Sequence, residues 1–397
     1  MRFLFLMKWP LNQRNVERFG LQAMLDRGHQ VTVLDMMRAC HPNARYHHLD
    51  PVKDPRLEVR RIDTWSQLTA EAATFAQADM IMLMIQSYGL SEITLPSLRM
   101  IAAAGRPYTI FMPTLVPGEV GAFEELPLRR KLREFGSRLK KASFRNSLVH
   151  RLPPKWLGIP PAALAVYPAR ASEIPNNLIG PQTQAIHTHS WDYDQFLARR
   201  DSLPEAVGQA VFIDQYLPFH PDFRLAPLKT PIEPNRYYGG LRALFDRIER
   251  ELGLEVVIAA HPQSDYSLHP GVFGDRRIQR GGTLDQVAAS KLVLGHLSVG
   301  IGFAVMCRKP LMFIISSDLY EGNPSFAHSY DVCSSLLNSP LHRIDDPGQI
   351  DLGRVLEFDA SRFQAYTEDY LAHPLDGGER YWDAIGTAIE NFVAKAA

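Results

Sequence analysis

Two segments of the sequence place a histidine directly behind a run of apolar residues. In VVIAAHPQSDY the run ends at His261, followed by Pro262. In KLVLGHLSVGIGFAVM it ends at His296, with Ser298 two residues further on. Short aliphatic runs bounded by turn formers read as buried strands, so both histidines sit at strand ends. Pro262 fixes the chain as it leaves the sheet and aims the His261 imidazole outward. An imidazolium there would offset the charge of a departing phosphate. Ser298 is placed to cap a helix whose first turn holds Val299, Gly300 and Gly302. Free N–H groups, the helix dipole and small residues together make an anion site. A lone strand-end histidine is more often structural, and a serine before a helix is more often a plain cap. Two such strand ends opening onto one cleft favour a phosphate site built from His261, Pro262, His296, Ser298, Val299 and Gly300. The glycine spacing matches neither a dinucleotide fingerprint nor a phosphate loop ending in lysine.

Acidic candidates follow two other strands. AVFIDQYLPF puts Asp214 at a strand end, where it would bind a sugar hydroxyl, act as a base, or simply cap a turn. AIHTHSWDYDQF carries His187, His189, Asp192 and Asp194. Its Asp-Tyr-Asp spacing superficially resembles the metal-binding motif of some glycosyltransferases. The same spacing is common by chance and serves equally as a helix N-terminus. Asp192, Asp214 and His189 are the base candidates. His187 and His189 share one strand face but lack a third ligand, so no metal site is expected. In SSDLYEGNPSF, Glu321 and Asn323 would reach a ribose or lie on a polar surface loop.

The elements that must position these residues are legible. RFLFLM, HQVTVLDM, ADMIMLMIQ and RPYTIFMP read as strands with helical pattern between them. QRNVERFGLQAMLDRG reads as one helix stopped at Gly28. Short apolar strands alternating with helices mean a parallel sheet covered on both faces. The rhythm breaks over residues 125–182, first basic, then rich in proline, where loop or edge structure is expected. It restarts at AVFIDQYLPF. YYGGLRALFDRIERELG then gives a helix with Leu241, Leu244, Phe245, Ile248 and Leu252 on one face. The fold class is therefore α/β, with two Rossmann-like domains facing a central cleft. The boundaries fall at 1–205, 206–375 and a final helix over 376–397. Ligands in such sheets bind beyond the carboxyl ends of the strands.

Bulk properties exclude several classes. Lys and Arg total 43, as do Asp and Glu, so a general nucleic-acid binder is disfavoured. Cys40, Cys307 and Cys333 are too far apart for a metal cluster and fit a reducing cytoplasm. MRFLFLMKWP reads as a buried strand and not as a signal peptide. Lys291, His296, Arg308 and Lys309 leave the most apolar stretch too short to span a bilayer. The basic segment 129–145 suits peripheral docking on an anionic membrane about as well as it suits a solvated helix.

With these motifs in place, the second half of the chain resembles glycosyltransferases of the GT-B type. Bacterial sialyltransferases and related capsule and lipopolysaccharide enzymes carry a similar His-Pro motif and a Ser-containing motif at a later helix start. The resemblance covers mainly residues 206–320. It implies that His261 and Ser298 hold the phosphate of a nucleotide-sugar donor, often CMP-linked in that group. The nucleotide sugar is a substrate, and no cofactor is implied. The acceptor would be a surface-polysaccharide or lipid-linked glycan. The acidic Asp/Glu-Asp/Glu-Gly motif of that group is absent. A nucleotide-sugar epimerase of the same architecture, or a non-catalytic nucleotide- or sugar-binding protein, is the alternative.

Overall fold

The computed structural model describes residues 1–42, 52, 54–85, 89–118, 149, 152–220, 223, 228, 230–346, 348, 350–372 and 379–396. The basic segment 129–145 lies outside them. The described residues form two sheets, every pairing in them parallel. The first holds β1 (Arg2–Met7), β2 (Gln30–Asp35), β3 (Leu57–Arg61), β4 (Met80–Leu83), β5 (Tyr108–Phe111), β6 (Leu164–Tyr167) and β7 (Gln184–His187), in the order β3-β2-β1-β4-β5-β6-β7. The second holds β8 (Gln209–Ile213), β9 (Glu255–Ala260), β10 (Ile278–Arg280), β11 (Leu292–Gly295), β12 (Leu311–Ile315) and β13 (Leu341–Arg343), in the order β10-β9-β8-β11-β12-β13. Each order reverses once, between β1 and β4 and between β8 and β11. Crevices open at the carboxyl ends of the strands at such points.

Continuous apolar strands explain the layers. β4, β5, β8, β11 and β12 are buried along their whole length, as strands covered on both faces must be. The helix Pro234–Leu252 covers the second sheet with Leu241, Leu244, Phe245 and Ile248, the expected face, and adds Tyr237 and Tyr238. Glu233 caps it by accepting from the Asn235 and Arg236 N–H groups, and Gly253 ends it at φ 65°. Each such buried side chain contributes roughly 1.5–3 kcal/mol.

Two expectations need correction. The proline-rich segment contains β6, an interior strand paired to both β5 and β7. Its prolines flank Leu164–Tyr167 without interrupting it, so the ladder keeps its N–H donors. The Gln13–Asp26 region is two helices, Gln13–Arg18 and Leu21–Asp26, broken at Gly20 with φ 76°. The reason lies at the other end of the chain. The C-terminal helix Tyr381–Ala396 lays Tyr381, Trp382, Ile385 and Ile389 on the outer face of the first sheet. The Trp382 indole rests on Gly20, where any Cβ would run into it, and its Nε1 donates to the Arg18 carbonyl at 3.1 Å.

Gly20→Ala therefore combines a left-handed backbone with a collision. We expect it to destabilise the protein by about 2–3 kcal/mol. A urea titration of the variant that matches wild type would show that the indole moves aside freely. No helix among the described residues is long and apolar enough to cross a membrane.

Candidate active site

A cavity of about 910 Å³ lies where the carboxyl ends of the two sheets meet. The second-domain wall is built from three strand ends. β8 runs into Asp214, whose Oδ1 accepts from the Tyr216 N–H at 2.8 Å. Its Oδ2 accepts from the Tyr266 hydroxyl at 2.6 Å and the His261 N–H at 3.2 Å. These bonds hold Tyr216 in a left-handed conformation, φ 56°, and pin the start of the next loop. Burial pushes the Asp214 pKa up to about 6 despite them. With both oxygens engaged, Asp214 acts as a strut for the His261 turn.

β9 delivers His261. Its Nδ1 accepts from the Gln263 N–H at 3.2 Å, which leaves the proton on Nε2. Burial, with help from His220 and Arg14, lowers its pKa to about 3. The residue is thus a neutral hydrogen-bond donor in the free protein, and not the imidazolium expected from sequence. Pro262 follows on the same wall. The third strand end, β11, leads to Leu297, Ser298, Val299 and Gly300, which line the cavity. The Gln215 side chain donates to the Leu297 carbonyl at 2.7 Å and ties the β8 and β11 loops together. The Ser298 hydroxyl makes no capping bond within the short helical turn it precedes.

His296 does not face the cavity. It is fully buried, its Nε2 2.6 Å from the Tyr237 hydroxyl and its Nδ1 3.2 Å from that of Tyr330. Its desolvation lowers its pKa to about 4, and only Tyr330 of the three reaches the cavity lining. Gly302 serves packing, since a Cβ there would stand 2.9 Å from Leu371. Glu321 is exposed and paired with Arg343 at 2.7 Å, away from the cavity. Its neighbour Asn323 does line it. Val299 and Phe326 are partly exposed apolar residues of the cavity lining.

The first-domain wall comes from the segment after β1 and from the helix Trp191–Arg199. Asn12 caps the helix Gln13–Arg18, and the Asn15 side chain donates to the Pro10 carbonyl at 2.8 Å. That bond fixes the bend that puts Trp9, Arg14 and Arg18 on the wall. Asp192, in the first turn of the Trp191–Arg199 helix, faces them. Burial raises its pKa, opposed by Arg18 and Arg14. Its one hydrogen bond among the described residues is a long one from Gln195 Nε2, at 3.3 Å.

Asp194 and His189 point elsewhere. His189 is buried and donates from Nε2 to Asp194 at 3.0 Å. Asp194 also takes Arg380 at 2.9 and 2.7 Å and the Tyr381 N–H at 2.9 Å. The Asp-Tyr-Asp pair therefore divides, one carboxylate to the cavity and one to a buried knot. His189 lies in that knot, outside the cavity lining. His187 is exposed and stacks on Tyr167. Among the described residues no group of three or more His, Cys, Asp or Glu is arranged to hold a metal ion. A second cavity, of about 590 Å³, sits by β1, β2, Arg56 and Arg60, and shares no lining residue with the first.

No protein-family model matches the chain, and no curated protein matches it. Solved structures match it in fold. The calicheamicin glycosyltransferase CalG4 aligns over 100% of this chain and 99% of its own, with TM-score 0.52 and 13% identity. The wall teichoic acid polymerase TagF aligns over 100% and 89%, with TM-score 0.52 and 12% identity. Os79 from O. sativa, solved with UDP, aligns over 99% and 100%, with TM-score 0.53 and 13% identity. The chain thus has the two-domain α/β architecture of these proteins, the fold class read from its sequence.

Proposed function

We propose that the protein is a glycosyltransferase that takes a sugar from a nucleotide-linked donor and passes it to a hydroxyl acceptor. The observation that carries this reading is one cavity walled by both sheets, with neutral His261 and Ser298 on one side and Asp192 on the other. Donor phosphate rests against the His261 Nε2–H and the Ser298 hydroxyl, and the base lies on Val299 and Phe326. The acceptor enters from the first-domain wall. Asp192 takes the proton of its hydroxyl as the oxygen attacks the anomeric carbon. The bond from that carbon to the phosphate oxygen breaks, and the charge that develops there is met by donors already in place. A CMP-linked donor and a surface-polysaccharide or lipid-linked glycan acceptor, reached from the cytoplasm, are the finer terms of the proposal. They rest on the sequence resemblance. The UDP seen with Os79 supports a nucleotide site in this fold.

Thermal-shift measurements against CMP, UDP, GDP and their sugars test the reading. One nucleotide should raise the melting temperature by several degrees at about 100-fold its Kd. His261→Ala should abolish that rise and leave the ligand-free melting temperature unchanged. Turnover should persist in EDTA. A set of nucleotides that all fail to stabilise the wild type would reject the proposal. A lower ligand-free melting temperature in the variant would make His261 structural.

A further inference from the structure

The first-domain wall carries more positive charge than its packing requires. Arg14 and Arg18 are four residues apart on the helix Gln13–Arg18, hence on one face, and both line the cavity. Neither guanidinium has a hydrogen bond or an ion pair within 4.0 Å among the described residues. Arginines elsewhere, such as Arg27, Arg56, Arg60 and Arg276, are paired with carboxylates. Asp192 is one carboxylate opposite two cations. Arg14 also stands in the first turn of its helix, at the positive end of the dipole, and feels the like charge of Arg18. The local arrangement opposes folding, yet the helix is held in place by Asn12, by Asn15 and by Trp382.

We propose that Arg14 and Arg18 form a subsite for a dianionic phosphoryl group on the acceptor. Two forked guanidiniums match the charge and the several oxygens of a phosphomonoester, and a single carboxylate would leave one of them uncompensated. Assigning the phosphate to the acceptor rests on the proposed transferase reading, because the donor phosphate occupies the opposite wall. The subsite itself does not depend on it.

Inorganic phosphate is the probe, with melting temperature read for wild type, Arg14→Gln/Arg18→Gln and His261→Gln. Wild type should gain several degrees in millimolar phosphate, His261→Gln should keep the gain, and the double variant should lose it. Without phosphate, the double variant should melt within a few degrees of wild type, since relief of the like-charge pair is set against the lost attraction to Asp192 and the lost contact of Arg18 over the Phe19 ring. A hexose phosphate and a short-chain phosphatidate, compared at equal concentration, then tell a soluble sugar phosphate from a lipid headgroup. No shift in wild type, or a shift kept in the double variant, overturns the subsite. A shift lost only in His261→Gln assigns phosphate to the donor wall, overturning the subsite while upholding the donor reading. Failure of every nucleotide alongside a phosphate gain lost in the double variant would keep the subsite and reject the transferase.

Discussion

Asp192→Asn should lower turnover by about 10²- to 10⁴-fold while leaving nucleotide binding unchanged, if Asp192 is the general base of the proposed transfer. The assignment follows from which carboxylates are free. Asp214 has both oxygens engaged by the Tyr216 N–H, the His261 N–H and the Tyr266 hydroxyl. Asp194 is tied to His189, Arg380 and the Tyr381 N–H. Among the described residues Asp192 holds one long bond, and it faces the cavity. Burial lifts its pKa above the ordinary carboxylate value, with Arg18 and Arg14 limiting the rise. A base must be deprotonated to act, so activity should climb with pH through that raised value. The limb should disappear in the variant. Near-normal turnover in Asp192→Asn would move the role to another group, Asp214 first.

Asp194→Ala should destabilise the protein by about 3–5 kcal/mol, because it leaves the buried partners of a multiply bonded carboxylate unmatched. Burial alone would raise the Asp194 pKa. The bonds from His189, Arg380 and the Tyr381 N–H outweigh it and hold the value at about 2. A depressed carboxylate pKa stabilises the fold above the unfolded value near 4, and that stabilisation is lost as pH falls toward 2. Urea titrations at pH 7 and pH 3 separate the cases. The difference between wild type and variant should be large at the first and reduced at the second. A loss below about 1 kcal/mol at pH 7 would mean that the knot is no stronger than a surface ion pair.

Much of this was readable in the sequence, and the failures share a cause. Apolar runs announced most strands because a strand covered on both faces must be apolar throughout. β6 was hidden because composition averages over a window, and its four residues are outnumbered by flanking prolines. The break at Gly20 was invisible because its partner, Trp382, is 362 residues away. His296 and His189 follow the same local pattern as His261. What separates them is which side of the sheet end faces the cleft, and that depends on the tyrosines and the carboxylate that receive them. Arg14 and Arg18 were missed for a related reason. A basic pair at helical spacing reads as a solvated face until a second domain is seen to close over it.

The C-terminal helix has a consequence for synthesis. β1 to β7 are complete once His187 has been made, but Tyr381, Trp382, Ile385 and Ile389 emerge about 200 residues later. At ordinary elongation rates that is a delay of roughly 10–40 s. During it the apolar surface that this helix covers, Phe111 beneath Trp382 and the turn at Gly20 among it, is left bare beside the helices Gln13–Arg18 and Leu21–Asp26. The nascent first domain therefore offers chaperones, and neighbouring nascent chains, a greasy surface that the finished protein conceals.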